Sequence, residues 1–171
     1  MITSLENCEL FFEYEDSMTQ NANKGIWLYG LSGSGKTYAS NIIANRQESS
    51  FVIDGDNVRE YISTDLGYSM PDRSIQIKRI FGIAKIVIKN GYFPIVSSVF
   101  MNKKIFHACL SNHIEVLEIT RPLDQLLCSS SVYELGENVV GKDIHQEPLK
   151  TIKILNDGTS KFDQIIKKYV R

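Results

Sequence analysis

Gly30-Leu31-Ser32-Gly33-Ser34-Gly35-Lys36-Thr37 is the stretch that decides how this chain is read. It fits G-x-x-x-x-G-K-[ST], a loop whose backbone N–H groups curl inward around phosphate oxygens. Before it lies Gly25-Ile26-Trp27-Leu28-Tyr29, an apolar run that predicts a buried strand, and after it Thr37 to Arg46 predicts a helix. Strand, loop and helix in that order are what the motif requires to be more than a glycine-rich turn with a surface lysine. The positive end of the helix dipole adds to the pull on an anion. In such a loop Lys36 reaches the β- and γ-phosphates of a nucleotide, and the Thr37 hydroxyl holds a magnesium ion.

The 171 residues suffice for one domain with a sizeable core, and 43% hydrophobic with 23% charged residues is ordinary globular composition. A net charge of -1 argues against a general nucleic-acid binder but allows a local basic pocket. Cys8, Cys109 and Cys128 are odd in number and have no metal-ligand spacing, which predicts a reduced, cytoplasmic protein. No apolar run is long enough to cross a membrane. Residues 1–23 carry Glu6, Glu9, Glu13, Glu15 and Asp16, the wrong charge for a transit peptide, and read as an extension. Within them Leu10-Phe11-Phe12 reads either as a short packing helix or as part of a frayed terminus.

Downstream, strand and helix patterns alternate. Phe51-Val52-Ile53 predicts a second strand, ending in Asp54-Gly55-Asp56-Asn57-Val58-Arg59. Ligands of open α/β sheets sit at the carboxyl ends of strands, so two carboxylates there suit magnesium-bound water and a substrate hydroxyl. An Asp–Gly turn followed by a helix cap is the bland alternative. Ser69 or Asp72 caps a long helix over Asp72 to Asn90, with Pro71 at its start and Gly91 after its end. Arg73, Lys78 and Arg79 oppose the dipole near that helix start, which a bound anion or a solvated basic face would explain. Tyr92 to Ser97 predicts a third strand despite Pro94, Met101 to Ser111 a helix, and Ile114 to Ile119 a fourth strand. Leu123 to Ser129 predicts a helix, residues 130–148 a mobile loop or lid, Ile152 to Leu155 a last strand, and Gly158 to Val170 a closing helix. The pattern predicts an α/β, three-layer domain of the phosphate-loop type, its parallel sheet covered by helices on both faces. His107, His113 and His145 have no metal spacing.

From Ile26 to about Lys104, and more weakly to the end, the chain resembles the adenylylsulfate kinase family. The resemblance rests on G-L-S-G-S-G-K-T at 30–37, D-G-D-N-V-R at 54–59 and D-L-G-Y-S-x-x-D-R at 65–73, continuing as Ile77-Lys78-Arg79-Ile80. It implies transfer of the ATP γ-phosphoryl group, with magnesium, to a ribose 3′-hydroxyl of a small nucleotide. It makes Asp56 the catalytic base and Asp54 a magnesium-water or base partner beside Thr37, with Lys36 a catalytic residue acting on the phosphates. It gives the ATP contacts to Gly30, Ser32, Gly33, Ser34, Gly35, Lys36, Thr37 and Tyr38. It makes Arg59 and Arg73 clamps on an anionic tail. Tyr68, Gln76, Ile77, Ser97, Val139 and Lys142 complete the substrate side, with Asp56. No nucleic-acid or membrane partner is implied, and a homodimer is allowed.

The departures point further. Where the family has an asparagine that helps read adenine, this chain has Gln76, and an arginine becomes Lys78. The family's I-S-P-Y aligns with Val99-Phe100-Met101-Asn102, and a lid aromatic with Val139. The lid's R-D-x-K-G-L-Y is reduced to Ser129-Ser130-Ser131-Val132-Tyr133, without the arginine that packs near the ATP adenine, while Asn138 to Asp143 still resembles the segment after it. A longer amide and one fewer ring suit a pyrimidine. The chain is similar in this to family members of capsular polysaccharide pathways that phosphorylate cytidine diphosphoramidate. Adenylylsulfate is the alternative acceptor, and a non-catalytic nucleotide sensor the alternative of another class.

Overall fold

The computed structural model describes residues 23–122, 124–126 and 132–169. Its frame is a five-stranded parallel sheet of β1 (Gly25–Tyr29), β2 (Ser50–Asp54), β3 (Phe93–Ser98), β4 (Ile114–Thr120) and β5 (Ile152–Leu155), in the order β2-β3-β1-β4-β5. The helices are α1 (Lys36–Ala44), α2 (Gly55–Tyr61), α3 (Met70–Lys89), α4 (Lys103–Ser111), α5 (Val132–Leu135) and α6 (Ser160–Ile166), with a 3₁₀ turn at Lys167–Tyr169.

Alternation along the central strand β1 separates two cores. Trp27 and Tyr29 pack with Ile77, Ile80 and Ala84 of α3 and Ile105 and Phe106 of α4. Ile26 and Leu28 pack on the other face with Ala39 and Ile43 of α1 and Phe162 and Ile166 of α6. Every residue of β1 is buried, as expected for a strand covered on both faces. The loop that follows β1 therefore leaves from a strand buried along its whole length.

Local chemistry sets the helix starts. Ser69 caps α3, its Oγ accepting from Asp72 N at 3.3 Å, and Pro71 lies in the first turn. Asn102 caps α4, accepting from Ile105 N at 2.9 Å, and Thr159 caps α6. The helix α2 realises the helix-cap alternative read at 54–59, and the other strands and helices outside the lid differ from the sequence-based expectation by a few terminal residues. Pro94 sits inside β3 because pairing with β1 begins one residue later, at Ile26 with Ile95. Gly25 leaves room for the ring, since a Cβ there would lie 2.7 Å from Pro94 Cγ.

The expected lid is more ordered than a plain loop: it contains α5 and a bridge between Val140 and Ile144. Of the helix expected over 123–129, residues 124–126 are described and helical. The packing helix or frayed terminus read at Leu10-Phe11-Phe12 lies outside the described residues, as do Cys8 and Cys128. Cys109 is buried and free.

Candidate active site

The phosphate loop keeps its shape through glycines at two demanding positions. Gly30 has φ 153° and faces the Ile119 carbonyl, and Gly35 has φ 101° and faces the Asn156 amide so closely that a Cβ would collide in either place. Lys36, the first residue of α1, folds back and donates from Nζ to Leu31 O at 2.8 Å. Burial pushes its pKa down to about 8, against the opposing pull of the Asp56 and Asp54 carboxylates.

Beside the loop lies a cavity of about 840 Å³. One wall is the loop itself, through Ser32, Gly33, Lys36 and Thr37. A second is the end of β2 and the start of α2, through Asp54, Gly55, Asp56 and Arg59. A third is Tyr68 and α3, through Arg73, Gln76 and Ile77, with Ser97 at the end of β3. The roof is the stretch 136–140 with Val132. Strand order explains the convergence: β3 lies between β1 and β2, so their carboxyl ends open on one chamber.

Asp54 is fully engaged by the protein. Its Oδ1 accepts from Asp56 N at 2.9 Å and caps α2, so the helix cap and the cavity-lining acid are the same residue. Its Oδ2 accepts from Ser97 Oγ at 2.8 Å and, more weakly, from Thr37 Oγ1 at 3.4 Å. Asp56 is exposed to the cavity, and no hydrogen bond among the described residues engages its carboxylate. The Thr37 hydroxyl and the Asp54 carboxylate converge as an all-oxygen pair, the donor chemistry that would suit a magnesium ion. Among the described residues no group of three or more His, Cys, Asp and Glu gathers to hold a metal.

Opposite the acids stand two guanidinium groups. Arg59 lies 4.6 Å and Arg73 5.6 Å from the Tyr68 ring centroid. Arg59 donates to Gly67 O at 2.5 Å, and Arg73 to Tyr68 O at 3.0 Å and Asn138 O at 2.8 Å. Burial, then the neighbouring Arg59, lowers the Arg73 pKa. All these acceptors are neutral carbonyls, and among the described residues no carboxylate forms an ion pair with either arginine, although the Asp56 carboxylate attracts Arg73 from a distance. The other two cations of α3 behave differently: Arg79 pairs with Asp65 at 2.5 and 2.8 Å, and Lys78 is exposed. Gln76 is 4% exposed; its Nε2 donates to Gly55 O at 3.0 Å, and its Oε1 is buried with no donor among the described residues.

Some expected site residues lie elsewhere. Tyr38 donates to Asp163 at 3.1 Å and stacks on Phe162, outside the cavity lining. Lys142 donates to Gly136 O at 3.3 Å and is exposed. Ser34, within the loop, is fully buried and does not line the cavity, while Val139 lines the roof and packs with Leu126 and Tyr133. Sequence reasoning missed the side chains that hold the loop from outside: Tyr133 on Ser32 O at 3.0 Å, Arg121 on Gly33 O at 3.2 Å and Asn156 on Ser34 O at 2.9 Å. The last two each follow a strand directly, the one signal that marks them.

Fold and loop define a phosphate-loop α/β protein. A family model for adenylylsulphate kinase matches residues 22–119, more than half of the chain. The chain belongs to the adenylylsulfate kinase family. It is similar to the adenylyl-sulfate kinase of Chloroflexus aurantiacus, 35% identical over 108 residues that cover 60% of this chain and 58% of that protein. The Bacillus licheniformis adenylyl-sulfate kinase is 38% identical over 91 residues, covering 51% and 46%. The chain thus spans about half the length of these curated relatives. Among solved structures, the Mycobacterium tuberculosis APS kinase in complex with AMPPNP and APS superposes with a TM-score of 0.69, covering 85% of this chain and 94% of that one. At 22% identity that likeness is one of fold.

Proposed function

We propose that this chain is a kinase that moves the γ-phosphoryl group of ATP to the ribose 3′-hydroxyl of a small nucleotide with an anionic tail. The observation that carries the reading is the single chamber in which a phosphate loop, a carboxylate with no hydrogen bond among the described residues and two arginines held only by backbone carbonyls face one another. In this account Asp56 takes the proton of the acceptor hydroxyl. The hydroxyl oxygen forms its bond to the γ-phosphorus as the bond to the β-phosphate oxygen breaks, and ADP leaves. Lys36 leaves Leu31 O for the phosphates and offsets their charge, and the loop amides hold them in line. Magnesium, when held by Thr37 and Asp54-bound water, neutralises phosphate charge. Arg59 and Arg73 exchange backbone carbonyls for the acceptor's tail, a stronger charge-assisted pairing.

The buried Gln76 Oε1 supports an acceptor base with an exocyclic amine, because an unpaired buried acceptor costs about 1–3 kcal/mol until a donor meets it. Adenine and cytosine both carry that amine; guanine and uracil present a carbonyl there. A cytidine nucleotide such as cytidine diphosphoramidate, in capsular polysaccharide modification, is our preferred acceptor. The long Gln76 side chain and the aliphatic Val139 in the roof favour a one-ring base. Adenylylsulfate, as in the relatives' names, is the second reading. A panel of adenylylsulfate, cytidine diphosphate derivatives and their uridine counterparts tests both. The cytidine compounds are expected to be phosphorylated fastest and the uridine compounds at least tenfold slower. Uridine acceptors used as well as cytidine ones would remove Gln76 from base selection.

A further inference from the structure

Four successive carbonyls of the phosphate loop are held by side chains: Leu31 O by Lys36, Ser32 O by Tyr133, Gly33 O by Arg121 and Ser34 O by Asn156. Carbonyls drawn outward leave the N–H groups inward, so the loop is shaped before any ligand arrives. For that task a neutral hydroxyl or amide suffices, as Tyr133 and Asn156 show. Arg121 brings a full charge. Its Nη1 reaches Gly33 O at 3.2 Å and its Nε reaches Gln125 Oε1 at 3.1 Å, both neutral acceptors. No ion pair engages it among the described residues. A partly exposed guanidinium held only by neutral acceptors keeps its charge and its faces available to a further partner.

Position and shape say which partner. Arg121 directly follows β4, the strand beside β1, whereas the acceptor chamber lies on the β2–β3 side of the loop and does not include it. Hydrogen bonds engage a guanidinium in its plane and leave its faces open, and an open cationic face stacks on an aromatic ring. A nucleotide whose phosphates occupy the loop must carry its base past the rim, and the chamber side is required for the acceptor. We propose that Arg121 is the platform on which the donor nucleobase of ATP stacks, anchored in place by Gly33 O and Gln125. This inference rests on the kinase reading above and adds a donor-side residue to it.

Calorimetric titration of magnesium-ATP and of inorganic tripolyphosphate into the wild-type chain, Arg121→Ala and Arg121→Lys tests it. ATP affinity is expected to fall about 3- to 30-fold in Arg121→Ala, and tripolyphosphate affinity, which reports only the loss of the donor to Gly33 O, by at least threefold less than that of ATP. Arg121→Lys, which keeps a cation for Gly33 O but not the plane, should fall between for ATP. Equal weakening of both ligands would overturn the proposal and make Arg121 a loop-shaping residue. Unchanged ATP affinity in both variants would also overturn it while leaving the kinase reading intact. A wild-type chain that binds neither ligand would overturn both. Thermal melts of the variants report folding, and if Arg121→Ala does not fold, the lysine variant decides.

Discussion

Asp54 Oδ1 accepts the backbone N–H of Asp56 at 2.9 Å, and this bond separates the two acids. It ties Asp54 to the start of α2, where Ser97 and Thr37 engage its other oxygen, and it leaves the Asp56 carboxylate free over the cavity. A general base must accept a proton from the substrate, and on the proposed reading that role falls to Asp56, whose carboxylate no hydrogen bond engages among the described residues, rather than to Asp54. Asp56→Asn keeps the shape but loses the base. We expect turnover to fall by roughly two to four powers of ten with ATP affinity nearly unchanged. Asp54→Asn retains a good helix cap, so its melting temperature should hold while more magnesium is needed for half-maximal activity. The reverse pattern in steady-state kinetics would exchange the two roles.

Lys36 gives a pH dependence with a definite sign. Its pKa is lowered to about 8, so the ammonium is present below that pH and is lost above it. A bound phosphate favours the charged form and raises the pKa, so ATP binding takes up a proton above pH 8. Affinity should be flat from pH 6 to 7.5 and then weaken by up to about tenfold per pH unit, as one linked proton requires. Fluorescence titration across that range measures it. Lys36→Ala should abolish this limb and lower turnover by about a hundredfold or more. A limb that survives in the alanine variant belongs to another group.

The grouping of the chamber's residues, as distinct from their roles, was readable in the chain itself. Asp54, Asp56, Arg59, Tyr68, Arg73, Gln76, Ile77 and Ser97 all line one chamber, because they stand at strand ends or at fixed spacing within continuous motifs. Arg121, Tyr133 and Asn156 were not legible. Their partners are backbone carbonyls 88, 101 and 122 residues away, brought near by the β1-β4-β5 order and by the fold of the lid stretch. No local periodicity encodes that order. Tyr38 follows Thr37 in sequence, but the helical turn carries its ring outward to Phe162 and Asp163, so only its backbone faces the loop side.

Arg73 joins the acceptor wall to the roof through Asn138 O at 2.8 Å. Arg73→Gln removes the charge and keeps a donor for that carbonyl. The acceptor KM should rise about 10- to 100-fold, the loss of one charge-assisted pair of about 1.5–3 kcal/mol, with the ATP KM little changed. Steady-state kinetics with each substrate varied in turn separate the two. An equal rise in both KM values would place Arg73 in closure of the roof rather than in tail recognition.

Phosphoryl transfer itself is the central claim. The chain is incubated with γ-labelled ATP, magnesium and either cytidine diphosphoramidate or adenylylsulfate, and the products are separated. Our account predicts label on the 3′-hydroxyl of an acceptor, only when an acceptor is present, and none with Asp56→Asn beyond a trace. Nucleotide binding by calorimetry with no labelled acceptor product from either compound would contradict it and identify a nucleotide sensor.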